Sequence, residues 1–198
     1  MSKGEQTRAA IVEQSLDLAG VLGLTALSIG TLAEHTGMSK SGLFAHFGSK
    51  EALQLSVLDA AEQKFVDTVI KPAFQAPRGI ARIRALFDRK LEWGKSWAGR
   101  GGCVFHASAT EFDDRPGPVR DRLVAALRAF RQTVVSTAQG AVKTGEFAPD
   151  LDCEQFAYEF SAIGLAYDHA SRLMHDPEAE RRARVAFERL IRDCQAKP

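Results

Sequence analysis

Three serines, Ser28, Ser39 and Ser49, stand eleven and ten residues apart, each at the head of a helix-forming run, short for the first two and long for the third. A serine in that place accepts a hydrogen bond from an unpaired backbone N–H of the following turn. The other free N–H groups of the turn point outward and attract anions, phosphate in particular. Lys40 and Lys50 directly follow two of the serines and add positive charge there. The chemistry of this stretch is the holding of phosphate oxygens.

The elements that must position these groups are two short helices. Ile29, Leu32 and Ala33 share one face of the first, and Gly37 can take the positive φ that stops it. Leu43, Phe44 and Phe47 recur three and four apart in the second. Two short helices joined by a three-residue turn containing Gly form a helix-turn-helix, which lays its second helix in the DNA major groove. Ala33 is small where the helices cross, and Met38 and Leu43 are apolar plugs beneath the turn. With these residues in place, the run from Phe44 to Leu53, FAHFGSKEAL, resembles the signature of the TetR family of bacterial transcriptional regulators. The resemblance is strongest over residues 7–58.

That resemblance implies an all-α fold. It places an N-terminal three-helix DNA-binding domain at residues 1–52 and a larger helical ligand-binding and dimerisation domain at 53–198. The implied partners are a double-stranded DNA operator, a small-molecule effector and a second copy of the chain; no cofactor or metal is implied. By analogy with the family, Ser39, Lys40, Ser41 and Gly42 face base edges. Lys40 is suited to guanine O6 and N7, and Ala45 to a thymine methyl. Ser28, His46, Ser49 and Lys50 look like phosphate contacts, which fix register without carrying sequence information. Phe44 departs from the family, where Tyr is common; Phe loses the hydroxyl that would meet a phosphate. Leu27 likewise replaces a frequent Thr. Both changes imply fewer phosphate contacts.

The whole chain sets limits. Its 198 residues are 45% hydrophobic and 26% charged, ordinary for a globular protein with a substantial core. No apolar run approaches the ~20 residues of a membrane span, and MSKGEQTRAA lacks a signal peptide's apolar segment, so a cytoplasmic location is expected. Cys103, Cys153 and Cys194 are odd in number and contain no CxxC, which favours free thiols. The net charge is only +1. Within residues 1–55, Lys3, Arg8, Lys40 and Lys50 face Glu5, Glu13, Asp17, Glu34 and Glu51, a net −1. Bulk charge therefore does not announce nucleic-acid binding. Lys40 and Lys50 at the docking surface, Glu13 and Asp17 on a preceding helix free to face elsewhere, and the helix N-termini at Ser28, Ser39 and Ser49 soften the conflict. A modest non-specific affinity dependent on dimerisation is expected.

Helical periodicity runs nearly throughout and predicts nine helices: one from Thr7 to Ala19, the helix-turn-helix pair, and six more. The fourth opens at Ser49 and stops near Pro72, and the last opens at Pro177. In the final two helices Phe160, Ile163, Gly164, Tyr167, Ala183, Phe187, Leu190 and Ile191 suggest a four-helix contact between two copies, with intramolecular core as the alternative. Trp93, Trp97, Phe105, His106, Phe112, Phe130, Tyr158 and Tyr167 are candidate liners of an effector cavity, aromatic groups with some polar tips. Cys103, behind Gly101-Gly102 and close to Arg100, offers a second input as a redox- or electrophile-sensitive thiol. No GxSxG, P-loop, HExxH or GxGxxG pattern indicates an enzyme. The expectation is a ligand-responsive repressor of a palindromic operator, with a non-specific nucleic-acid-binding scaffold as the competing class.

Overall fold

The computed structural model describes residues 2–96 and 102–196. Among them are nine continuous helical segments and one isolated antiparallel bridge, Phe147 to Gln195. Helix α1 spans Lys3–Leu22, α2 Ile29–Thr36, α3 Lys40–Phe47 and α4 Lys50–Phe65. α4 continues without a break through a π turn, Val66–Ile70, and a last short turn, Lys71–Ala73. Then come α5 (Ile80–Ser96), α6 (Val104–Phe112), α7 (Pro118–Lys143), α8 (Cys153–Asp168, running into a π turn His169–Leu173) and α9 (Ala179–Cys194).

Several ends differ from the sequence expectation for identifiable reasons. α1 begins four residues earlier, because Ser2 and Glu5 form a reciprocal capping box with each other's backbone N–H. It also runs through Gly20 and stops at Gly23, whose φ is 85°. Pro72 does not end α4 before it; it lies in the first turn of the final short segment, where its missing N–H is tolerated. Pro177 does not open α9, which starts at Ala179, while Asp176 Oδ1 accepts from Glu178 N–H at 2.9 Å.

The chain forms two compact units. The first comprises Met1–Phe65 and Ser96–Ala126, the second Val66–Lys95 and Leu127–Pro198. In the first unit Ile11, Leu16, Leu24, Leu27, Leu32, Leu43, Leu53 and Val57 make one apolar core. Arg8 reaches from α1 to Ser56 Oγ at 2.7 Å and lies 5.1 Å over the Phe47 ring, fastening three helices together. Arg122, in the opening turns of α7, holds both Asp59 and Glu62 of α4.

The second unit is built on phenylalanines. Phe87 of α5 stacks on Phe187 of α9 at 3.9 Å, and both meet Phe160 of α8 edge-on at 5.7 and 5.9 Å. Phe130 and Phe156 pack on Phe160 at 6.3 and 6.4 Å. Outside this cluster, Arg84–Glu188, Asp88–Arg184 and Lys95–Glu180 pair in descending order along α9, so α5 and α9 run antiparallel. This bears on the residues named for a contact between two copies. Phe160, Gly164, Tyr167, Ala183, Phe187, Leu190 and Ile191 are buried within the single chain and Ile163 is half-buried. Seven of the eight have almost no surface left for a second copy, because α8 and α9 pack on each other and on α5.

Candidate nucleic-acid interface

Each short helix owes its position to a serine and a glycine. Ser28 Oγ accepts from Thr31 N–H at 3.1 Å, and Thr31 Oγ1 accepts in return from Ser28 N–H at 2.8 Å. α2 then ends at Gly37, whose left-handed φ of 69° turns the chain while its N–H bonds Ala33 O at 3.0 Å. Ser39 Oγ caps α3 by accepting from Gly42 N–H at 3.1 Å, and Ser49 Oγ accepts from Ala52 N–H at 3.0 Å. Leu32, Ala33, Leu43 and Phe47 are buried beneath the two helices.

The rest of α3 faces outward. Ser39, Lys40, Ser41, Phe44 and Ala45 are exposed and Gly42 and His46 half-buried, so none of the residues nominated on or beside this helix is lost to the core. Lys40, Ser41, Phe44 and Ala45 fall at the one- and four-residue spacings that share a helix face, opposite Leu43 and Phe47. Phe44 is 58% exposed, a large aromatic standing in solvent beside a lysine. Lys50, also exposed, donates to Thr25 O at 2.5 Å, which uses one of its N–H groups and leaves two. The acidic residues of α1 are partly engaged: Glu5 accepts from Ser2 N–H, Glu13 pairs with Lys64 of α4, and Asp17 is half-buried. The −1 balance of this region therefore overstates the negative charge met by a polyanion at α3.

More than half of the chain, residues 79–187, matches the family model described as "Tetracyclin repressor-like, C-terminal domain". Residues 11–57, which enclose α2 and α3, match "Bacterial regulatory proteins, tetR family". The chain belongs to the TetR family. It is a helix-turn-helix, DNA-binding transcriptional regulator. The HTH-type transcriptional regulator RutR of Escherichia coli strain K12 is 27% identical over 206 residues, covering 97% of this chain and 91% of RutR. A TetR transcriptional regulator from Chloroflexus aurantiacus superposes with a TM-score of 0.85 at 26% identity, covering 97% of this chain and 96% of that one. A transcriptional regulator from Saccharomonospora viridis, solved in complex with choline, shares the fold at 20% identity and a TM-score of 0.80, covering 98% and 100% of the two chains.

The effector candidates of this TetR-family chain are divided between the two units. Cys103, Phe105, His106 and Phe112 lie in the first unit, at or on α6, while Trp93, Phe130, Tyr158 and Tyr167 lie in the second. Trp97 is outside the described residues, as is Arg100 beside Cys103. Trp93 and Tyr167 are buried, and Phe130 belongs to the phenylalanine cluster. Tyr158 is 63% exposed on α8, so within one chain it does not line an interior cavity. Cys103 is buried at the N-cap of α6.

Two surface clefts in the second unit are lined by other residues. One of about 180 Å³ is bordered by Arg84, Asp88, Arg184, Phe187 and Glu188. The other, about 560 Å³, lies between α7 and the start of α8 and includes Val135, Gln139, Leu151 and Cys153. The sequence reading also missed a buried ion pair. Lys90, only 8% exposed, faces Asp168 at 3.7 Å. Gly164 makes room for it: a Cβ there would sit 2.6 Å from Lys90 Nζ. A lysine on the inner face of α5 opposite a glycine of α8 is a signal, but only once the helices are known to cross there.

Proposed function

We propose that this regulator binds a palindromic operator as a homodimer, in the cytoplasm, and represses transcription until a small molecule releases it. The observation that carries the DNA half of the reading is the outward face of α3, with Lys40, Ser41, Phe44 and Ala45 exposed and the Ser39 cap at its head. Lys40 and Ser41 read base edges, Ala45 meets a thymine methyl, and the helix starts at Ser28 and Ser49 hold phosphates together with His46 and Lys50. Two copies are needed because one recognition helix spans a single half-site; half-sites about one turn of DNA, ~34 Å, apart require a two-fold partner.

The dimer surface is the side of α8 left uncovered by its own chain. Tyr158, Ala162, Leu165, Ala166, His169 and Leu173 are exposed at helical spacing. An apolar stripe on an otherwise packed helix suits an isologous contact. The effector half of the reading is supported by the family model over residues 79–187 and by the buried polar pair Lys90–Asp168. Trp93 lies on the same helix as Lys90, and Tyr167 is next to Asp168 in sequence. An effector that binds the released state better by ~1–3 kcal/mol would suffice to shift occupancy.

Selection of binding sites from a random duplex pool with purified, reduced protein tests the reading. An enriched inverted repeat is the expected outcome. A folded dimer that enriches no sequence would refute specific operator binding without effector. The same duplex then serves to screen small molecules for release.

A further inference from the structure

The segment between α1 and α2 is held by long side chains from two other helices of the first unit. From α4, Gln54 Nε2, buried, donates to Leu24 O at 2.6 Å, and Lys50 Nζ donates to Thr25 O at 2.5 Å. From α6, Glu111 Oε2 accepts from both the backbone N–H and the Oγ1–H of Thr25, each at 2.7 Å. Thr25 thus has its amide, its carbonyl and its hydroxyl all engaged, the first and last by one carboxylate 86 residues away. Such charge-assisted bonds are short and stronger than neutral ones.

The sequence is adapted to this reach at one further point. Gly23 has φ 85°, and a Cβ on it would overlap Glu111 Oε1. A side chain at residue 23 would be both strained and in the way of the carboxylate. The hold extends to the start of α2. One residue after Thr25, Ala26 O lies 3.1 Å from Thr31 Oγ1, the group that completes the capping box with Ser28.

From this arrangement we infer that Glu111 is a positioning residue for DNA binding, acting through Thr25 on Lys50 and on the N-terminus of α2. The inference rests on the reading that Lys50 and the α2 start meet phosphates. Lys50 is a long, exposed side chain, and an unrestrained lysine loses rotamer freedom when it meets a phosphate. Anchoring one of its N–H groups on Thr25 O fixes the ammonium beforehand, provided that Thr25 itself is fixed. Glu111 supplies that fixation from the opposite side of the residue. A carboxylate, which phosphates would repel, contributes to affinity here because its bonds are made to the protein and not to DNA.

The test is the salt dependence of operator binding by the full-length dimer, since each phosphate contact adds about 0.9 to the slope of log K against log salt. Glu111→Ala is expected to weaken binding roughly tenfold, the scale of a lost charge-assisted bond, and to lower the slope by nearly one contact. Lys50→Ala should lower it equally, and the double variant no further. Glu111→Gln, which keeps an acceptor oxygen, should recover most of the slope. Should Glu111→Ala fail to fold, Thr25→Ala, removing one of the two bonds, is expected to give a partial loss of both affinity and slope. The inference is overturned if folded Glu111→Ala, or Thr25→Ala in its place, keeps the wild-type slope. It is also overturned if losses from Glu111→Ala and Lys50→Ala simply add. Wild-type protein that binds no sequence preferentially would instead overturn the operator reading on which the inference stands.

Discussion

Phe44 is a single exposed side chain at which the proposed operator contact can be tested. Its ring stands 58% exposed on the outward face of α3, so a para hydroxyl could be added without entering the core. Phe44→Tyr is therefore expected to leave stability within ~0.5 kcal/mol and to tighten operator binding by a net hydrogen bond, ~0.5–1.5 kcal/mol or about two- to tenfold. Fluorescence anisotropy with a selected operator measures it; unchanged or weaker binding would show that Phe44 does not face a phosphate. The cysteines give a second residue-scale outcome. Burial pushes the Cys194 thiol up to about 11, with the carboxylates of Glu159 and Asp193 adding to it. Cys153 is raised as well, first by burial and then by Asp152 and Glu154. A thiol whose folded value lies above its unfolded one contributes stability that is whole below the ordinary value of 9.0 and lost as pH rises toward 11. Native protein at pH 8 should accordingly alkylate at Cys194 far more slowly than urea-unfolded protein. Cys194→Ala should flatten the decline in urea midpoint between pH 9 and 11.

At the scale of elements, the turn of the helix-turn-helix is limited by backbone conformation and not by space. A Cβ at Gly37 would meet nothing within 4 Å, yet φ is 69°. Gly37→Ala should cost ~1–2 kcal/mol from the left-handed conformation alone, and Gly37→Asn less, because Asn tolerates that region. Chemical denaturation of the two variants separates strain from crowding: equal losses would mean that the conformation is not what Gly37 provides. The serine caps, the Gly37 stop and the buried Leu43 and Phe47 were legible because they depend on residues a few positions apart. The Ser2–Glu5 capping box was equally local but lay outside the periodic apolar run from which the first helix was read. The Glu111–Thr25 bonds were not legible, since no local pattern links residues 86 apart. The stripe named for a two-copy contact is a different case. Periodicity in α8 and α9 marks which side chains leave water, and Phe160 and Phe187 do so against Phe87 of their own chain. Burial read from sequence does not say who supplies the cover.

For the whole molecule, what matters is how much of α8 remains to be covered. Tyr158, Leu165 and Leu173 are 63%, 54% and 71% exposed on one helix side, whereas α9 shows water mostly arginines, with Val185 as its exposed apolar residue. A contact centred on Leu165 would bury this stripe against its two-fold copy, with Ala162 and Ala166 small enough to let the backbones approach. Placing a carboxylate at the centre of such an interface sets two like charges opposite each other in an apolar setting, which neither copy can solvate. Leu165→Glu is therefore expected to leave the chain folded, because the side chain faces solvent in a single copy, and to shift sedimentation from dimer to monomer. Operator binding should fall with it, since a monomer engages one half-site and loses the effective concentration that the partner supplies. The two readouts must move together. A Leu165→Glu protein that still sediments as a dimer would place the two-fold contact elsewhere. One that becomes monomeric yet binds the inverted repeat with wild-type affinity would mean that the half-sites are read independently.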